Sequence, residues 1–181
     1  MKKVLLILLV TSLGIPGLAQ FTGARLQAGG LTCAMCSNTI YRALKDLPFV
    51  DSIQMDTRKA SFRIRFRPGQ SPDFDAVKNT VEKAGFWVTR LEVSGRFDHL
   101  AIGADHLAQI GSSWFHFVDP ADRELNGERT LVLVDPHFLP AREEKRFSRV
   151  PGLGCLESGR ASACAPHEVI DPATRVYHVS S

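Results

Sequence analysis

The chain has 181 residues, of which 44% are apolar and 23% are charged, and its formal net charge is +3. This composition favours a folded chain of one or two domains and argues against intrinsic disorder. Four cysteines in this length are too few to replace a hydrophobic core, which excludes a small protein held together by disulfides.

The first nineteen residues have the three parts of a secretory signal peptide. Two lysines precede the apolar run 4–10, and a proline is followed by the small-residue ending 17–19. The apolar run is shorter than the ~20 residues that a membrane-spanning helix needs, which favours a cleaved signal over an anchor. We therefore expect residues 1–19 to be removed after about Ala19. The mature protein is then exported, with the periplasm as its expected location and no membrane span.

The mature chain is nearly neutral, because the signal segment holds two lysines and no acidic residue. The remaining 20 basic and 19 acidic side chains lack the basic excess of nucleic-acid-binding proteins, so no nucleic-acid partner is predicted. Residues 20–94 carry 11 basic and 7 acidic side chains, whereas residues 95–181 carry 9 and 12. The two halves therefore have net charges of opposite sign. This favours docking of one half on the other, or docking of the first half on an acidic partner.

Residues 20–94 have the apolar periodicities of strand, helix, strand, strand, helix and strand. Apolar positions in the two helical segments recur at steps of three and four, and the third strand alternates apolar with polar side chains. The predicted segments are 25–28, 36–47, 50–55, 60–67, 74–84 and 86–93. This order is that of a ferredoxin-like βαββαβ sandwich, which places residues 20–94 in the α+β class as a first domain.

A Cys-x-x-Cys pair, Cys33 and Cys36, lies between the first strand and the first helix. The positive end of a helix lowers the pKa of a thiol and favours the thiolate. Thiolates bind soft ions such as Cu(I) in preference to Mg²⁺ or Ca²⁺. No histidine stands nearby in sequence, so the pair lacks the four ligands of a structural zinc site. The pair therefore predicts a soft ion of low coordination number that can be handed on.

The segment Gly-Leu-Thr-Cys-Ala-Met-Cys over 30–36 resembles the metal loop of the heavy-metal-associated domain. That family includes copper chaperones, modules of copper-transporting ATPases and the periplasmic mercury-binding protein. Leu31 stands where methionine is usual in the family, a position that packs inward, so the difference alters core packing and leaves the ligands intact. The resemblance covers residues 24–93 and is silent on the rest of the chain.

The resemblance implies roles for three residues. Cys33 and Cys36 would ligate Cu(I), with Hg(II) as the second choice and Zn(II) as a further option. The segment Ala-Gly-Phe over 84–86 matches the family's Ala-Gly-aromatic segment, so Phe86 would shield the bound ion. The partner implied is a metal transporter or a metal acceptor protein.

Other interpretations of the pair remain open. A thioredoxin-like redox protein also uses Cys-x-x-Cys, although such proteins usually have an aromatic residue before the first cysteine, where this chain has Thr32. A purely structural disulfide is another interpretation. A third is an interaction protein in which residues 95–181 recognise a partner and carry the function.

Residues 95–181 are predicted to form a second, small and mostly-β domain of barrel-like shape and unknown function. Short strands are indicated near 100–102, 107–110, 114–118, 131–134 and 175–179. An Asn-Gly pair at 126–127 is typical of a hairpin turn, and Pro140 suits the start of a short helix.

Cys155 and Cys164 lie in an irregular stretch rich in glycine, serine and alanine. In an exported protein, two cysteines at this spacing favour a disulfide that shortens the loop. The alternative adds His167 to give a second metal site.

The remaining polar residues indicate no catalytic centre. No Ser/His/Asp set, carboxylate pair or phosphate loop can be assembled, so a binding protein rather than an enzyme is predicted. The single histidines are expected to be surface or packed residues rather than ligands; they are His99, His106, His116 and His137.

Overall fold

The computed structural model describes residues 20–103, 105–119, 123–147, 154–164 and 170–181. The predicted signal peptide and His167 lie outside these residues. The elements are β1 (Gln20–Gly29), α1 (Ala34–Lys45), β2 (Val50–Asp56), β3 (Ser61–Phe66), α2 (Phe74–Lys83), β4 (Trp87–Ala101), β5 (Leu107–Ile110), β6 (Ser113–Asp119), β7 (Glu124–Leu133), α3 (Ala141–Phe147), α4 (Ala161–Cys164) and β8 (Val176–Ser180). Within the described ranges, no helix combines the length and apolar character needed to cross a membrane.

The first six elements have the predicted βαββαβ order, with antiparallel strands in the order β2-β3-β1-β4. The helix α2 starts where the Asp73 carboxylate accepts a hydrogen bond from the Ala76 N–H at 2.9 Å, which caps its first turn. Ile40 and Leu44 of α1 are fully buried, as are Phe74, Val77 and Val81 of α2. The predicted α+β class and ferredoxin-like order are confirmed.

The strand β4 is longer than predicted and carries the sheet into the second half of the chain. It pairs with β1 as far as Arg96 and with β7 from Glu92 onward. The result is an eight-stranded sheet in the order β2-β3-β1-β4-β7-β8-β6-β5, in which β6 and β8 are parallel. The expected boundary at 94–95 lies inside a strand that is paired on both sides. The division into two domains stays a prediction.

The expected barrel-like shape of the second half is not confirmed. The strands β7, β8, β6 and β5 add in turn to the free edge of β4, so the sheet stays open and ends at β2 and β5. The second half is mostly β, as predicted, but its strands extend an existing sheet instead of closing on themselves.

The Asn-Gly pair does not form the expected hairpin turn. Asn126 and Gly127 lie within β7, where Gly127 pairs with Phe97 and has a φ of 73°. The β4–β7 register then shifts between Phe97 and Leu100. Because glycine adopts positive φ at little cost, it suits a β-bulge as well as a turn. The Asn-Gly pair thus correctly indicated a positive φ at residue 127, but this residue lies inside a strand and not in a hairpin turn.

The two halves share one apolar core. Its centre is a group of aromatic rings from β1, α2, β6 and β8. The Phe74 ring lies 5.5 Å from that of Phe21, 6.2 Å from that of Phe115 and 5.3 Å from that of Tyr177. At the edge of this group, the Arg175 Nε donates to Asp75 Oδ2 at 2.8 Å. The start of α2 is therefore held by residues of the second half.

Candidate metal centre

Cys33 is the residue that caps the start of α1. Its backbone is extended, with φ of −149° and ψ of 161°, and its Sγ accepts a hydrogen bond from the Cys36 N–H at 3.3 Å. The sulfur thus occupies the capping position that serine or aspartate oxygens usually take.

The structure brings together the two cysteines that the sequence predicted as ligands. Their Sγ atoms lie 2.6 Å apart; Cys33 is exposed and Cys36 is half-buried. The hydrogen bond with the Cys33 side chain is the main reason that the pKa of the Cys36 thiol lies below its usual value. Hydrogen bonds involving Thr32 add to this effect, while partial burial opposes it. The pair therefore consists of Cys36, whose thiol has a lowered pKa, and Cys33, which is open to solvent.

Two residues near the cysteine pair, Leu31 and Phe86, were assigned roles by the resemblance. Leu31 and Phe86 are half-buried and pack against the apolar core. Shielding of an ion by Phe86 stays a prediction.

The indole ring of Trp87 lies directly against Gly29 and Gly30, where an added Cβ would collide with it. Trp87 is 55% exposed, and nothing in the sequence pattern indicated its place beside the metal loop.

The lowered pKa of Cys36 leads to an expected pH dependence of thiol alkylation. Because the hydrogen bond from Cys33 stabilises the Cys36 thiolate, Cys33→Ala should raise the pH at which Cys36 becomes reactive. Mass spectrometry of reduced protein treated briefly with iodoacetamide at a series of pH values measures this midpoint. Met35, 78% exposed within the loop, provides the control Met35→Ala, which should leave the midpoint in place. An unchanged midpoint in Cys33→Ala would contradict the assignment.

A second group of metal-ligand side chains lies in the other half of the chain. The Cα atoms of Cys155 and Cys164 are 5.0 Å apart and their Sγ atoms lie at bonding distance, which permits the expected disulfide; the disulfide itself stays a prediction. His116 and His178 lie beside them, and the ligand atoms of all four residues fall within 4.8 Å of one another.

The sequence pattern indicated neither histidine as a ligand. His116 was expected to be a surface or packed residue, and it is indeed buried, which lowers the pKa of its imidazole to about 4, with a further contribution from nearby His178. The two histidines are 62 residues apart in sequence and meet because β6 and β8 pair in parallel, with His116 opposite His178. Only the strand order could have revealed this neighbourhood.

Comparisons with known proteins define the class of the first half. Residues 25–86 match the family model described as Heavy-metal-associated domain. This match covers the segment in which the sequence resembles that family and confirms the resemblance.

Three similar proteins carry copper or metal functions in their names. The chain is 32% identical over 69 residues to the probable copper-transporting ATPase HMA5 of Arabidopsis thaliana, a match that covers 38% of this chain and 7% of that protein. A copper-binding domain of the P-type ATPase HMA7 is 28% identical, with a TM-score of 0.33, over 36% of this chain and 86% of that domain. The CopZ metallochaperone is 18% identical, with a TM-score of 0.33, over 36% of this chain and 96% of its own. The chain thus spans only a small part of the curated relative that it matches.

Proposed function

We propose that this protein captures, buffers or delivers Cu(I) through Cys33 and Cys36. The observation that carries the proposal is the pair of sulfurs, 2.6 Å apart, at the exposed start of α1. It lies within a segment that matches the heavy-metal-associated domain. The role is binding and transfer of an ion rather than catalysis, and the partner is a metal transporter or an acceptor protein.

The exposure of the loop supports transfer by ligand exchange. Binding of Cu(I) displaces the thiol protons into solvent. Because two sulfurs leave the ion under-coordinated, a thiolate of the acceptor can add before either protein ligand departs. Cys33, which is exposed, is then the first to release the ion, and Cys36 follows. The oxidation state of copper does not change in this exchange.

The choice of Cu(I) rests on the ligand set and on the relatives. Two thiolates suit soft ions and fall short of the four ligands of a tetrahedral Zn²⁺ site. Hg(II) is equally soft and is the second choice. The names of the similar proteins refer to copper, which favours Cu(I).

We also propose that the protein is exported, on the strength of the signal-like sequence of residues 1–19. An oxidising compartment favours disulfides. The pair must then be kept reduced by a partner dithiol before it can accept metal, and the bound ion protects the sulfurs from oxidation afterwards.

The proposed function is tested by an anaerobic titration of the reduced protein with Cu(I) in competition with a chromogenic chelator. A Cys155→Ser/Cys164→Ser background removes the second thiol pair, and in it we expect one bound Cu(I) per chain. Adding Cys33→Ser/Cys36→Ser should abolish competition with the chelator, whereas Met35→Ala should preserve it. Retained binding without Cys33 and Cys36, or preference for Hg(II) over Cu(I) at equal thiol competition, would contradict the assignment.

A thiol–disulfide redox function is the second candidate, favoured by the close sulfurs and the lowered pKa of the Cys36 thiol. A disulfide reductase assay separates the two functions. A metal-transfer site gives no turnover with either the native protein or Cys33→Ser. Turnover that is lost in Cys33→Ser would support the redox candidate.

A further inference from the structure

The four metal-ligand residues of the second half form a compact cluster in which Cys164 is half-buried and the other three are buried. His116 on β6 and His178 on β8 are paired residues of neighbouring parallel strands, and their ring centroids lie 5.3 Å apart. Because paired residues of neighbouring strands face the same side of a sheet, both imidazoles lie on one face. Cys155 in the turn 154–158 and Cys164 at the end of α4 contribute the sulfurs.

The turn and α4 are fixed to the sheet independently of the sulfurs. The Ala161 N–H donates to the Thr174 carbonyl at 3.0 Å, and the Val176 N–H donates to the Gly159 carbonyl at 2.9 Å. Arg160 and Arg175 form a β-bridge in the same region. The backbone therefore brings both cysteines to the two histidines without any need for a sulfur–sulfur bond.

The distances match the edges of a tetrahedron around a metal ion. Metal–sulfur bonds of about 2.3 Å and metal–nitrogen bonds of about 2.0 Å give sulfur–nitrogen edges of roughly 3.5 Å. The His178 Nε2 lies 3.1 Å from Cys155 Sγ and 3.5 Å from Cys164 Sγ, and the His116 Nδ1 lies 3.8 Å from Cys155 Sγ. The two sulfurs are too close for such a site, and rotation about their side-chain torsions separates them.

A carboxylate behind His178 orients its imidazole toward the sulfurs. The His178 Nδ1 lies 3.0 Å from Asp135 Oδ1, and the His178 backbone N–H donates to Asp135 Oδ2 at 2.7 Å. A proton held on Nδ1 by this carboxylate leaves the Nε2 lone pair directed at the cysteines. Histidines that bind metals commonly have such a partner on the other ring nitrogen.

Burial and charge favour a divalent ion. Cys155 and His178 are 1% and 0% exposed, and Asp135 is compensated by Arg175, whose Nη1 donates to it at 2.9 Å. Two thiolates and two neutral imidazoles carry a charge of −2, which a divalent ion cancels and a monovalent ion does not. A buried site of zero net charge avoids the cost of an uncompensated buried charge. Four protein ligands with no open position are typical of a structural zinc site.

From this geometry we propose that His116, Cys155, Cys164 and His178 form a second metal centre, which binds one Zn²⁺ ion in a tetrahedral Cys₂His₂ arrangement. The centre is independent of the proposed Cu(I) function of Cys33 and Cys36. Its role is to add a cross-link between the turn 154–158, α4 and the paired strands β6 and β8.

The metal and the expected disulfide are two exclusive states of the same cysteines. A dithiol reductant cleaves the Cys155–Cys164 bond by transferring two electrons and two protons, and is itself oxidised to a disulfide. Zn²⁺ then binds the two sulfurs and displaces both thiol protons into solvent. Occupation by zinc thus removes the thiols from further oxidation.

The test uses the full mature chain with Cys33→Ser/Cys36→Ser, so that only the second cluster can supply thiolates. The reduced protein is titrated anaerobically with Co²⁺ as a spectroscopic probe and then with Zn²⁺. We expect one Co²⁺ per chain, with the intense visible bands of a tetrahedral site and a thiolate-to-cobalt charge-transfer band. Zn²⁺ should displace it and raise the thermal unfolding midpoint.

Variants of the cluster distinguish ligands from neighbours. His116→Ala and His178→Ala should each lose the tetrahedral spectrum, and Cys155→Ser/Cys164→Ser should lose Co²⁺ binding. Asp135→Asn should weaken binding by roughly 10- to 100-fold and keep the tetrahedral spectrum, as expected of a positioning residue. Circular dichroism of each metal-free variant verifies the fold.

His106, whose ring lies 6.4 Å from that of His116, provides the matched control, and His106→Ala should bind Co²⁺ like its parent. An octahedral spectrum, or tetrahedral spectra in both His116→Ala and His178→Ala, would overturn the proposal. So would tighter binding of Cu(I) than of Zn²⁺, or re-formation of the disulfide in excess Zn²⁺. Failure of Cys33 and Cys36 to bind Cu(I) in the separate titration leaves these outcomes unchanged.

Discussion

Phe74→Ala is expected to lower the free energy of unfolding by about 3–5 kcal/mol, the range for removal of a buried phenylalanine ring. Phe74 is fully buried and packs against rings from β1, β6 and β8. A cavity at this point removes contacts in both halves of the chain. Urea denaturation followed by circular dichroism measures the loss.

The same substitution tests whether the halves unfold together. The chain has two tryptophans, Trp87 at the start of β4 and Trp114 on β6. In Trp87→Phe and Trp114→Phe the remaining tryptophan reports on one half alone. We expect the two fluorescence transitions to coincide, and Phe74→Ala to move both by the same amount. Separate transitions, with only one moved by Phe74→Ala, would show two independently folding domains.

Asp135→Ala is expected to destabilise the metal-free protein by about 3–5 kcal/mol, as is usual when one partner of a buried ion pair is removed. Asp135 is 1% exposed and accepts hydrogen bonds from Arg175 and from the His178 backbone. Burial works against the charge of Arg175, but the hydrogen bonds that Arg175 donates to Asp75 and the charge of Asp135 outweigh it, so the pKa of Arg175 lies above its usual value. Loss of Asp135 leaves this cation with Asp75 as its remaining carboxylate partner.

The matched comparison is an exposed ion pair in the first half. Arg65 donates to Asp51 at 2.8 Å, but both side chains are solvent-exposed, so Arg65→Ala should cost no more than about 1 kcal/mol. Urea denaturation in the presence of a chelator gives both values under the same conditions. Equal losses in Asp135→Ala and Arg65→Ala would contradict the importance assigned to the buried network.

The sequence predicted features that depend on neighbouring residues and missed those that depend on strand pairing. The helices and strands of the first half follow from apolar periodicity, and Cys33 and Cys36 are close because only two residues separate them. The expected boundary at 94–95 was placed where the βαββαβ pattern of the sequence ends. Gly95 instead lies inside β4, where an added Cβ would come within 2.8 Å of the Gln20 carbonyl oxygen. Glycine is required there for close approach of two strands rather than for a linker.

The second cluster shows the same division. Cys155 and Cys164 were recognised as a pair because they are near in sequence. His116 and His178 reach them only through the parallel pairing of β6 with β8, which no local pattern encodes. The notion of His167 as their companion came from sequence proximity alone, and His167 lies outside the described residues.

The continuous β4 has a consequence for how the first half meets other proteins. A free β4 edge exposes unpaired N–H and C=O groups that another chain can pair with, and here β7 occupies that edge from Glu92 to Ala101. Because β7 is covalently linked to β4, its effective concentration at this edge is high. A strand from another protein would have to displace β7 before it could pair with β4. A fragment of residues 20–101 would keep all of β4 without β7, and this edge would then be open to pairing with other chains.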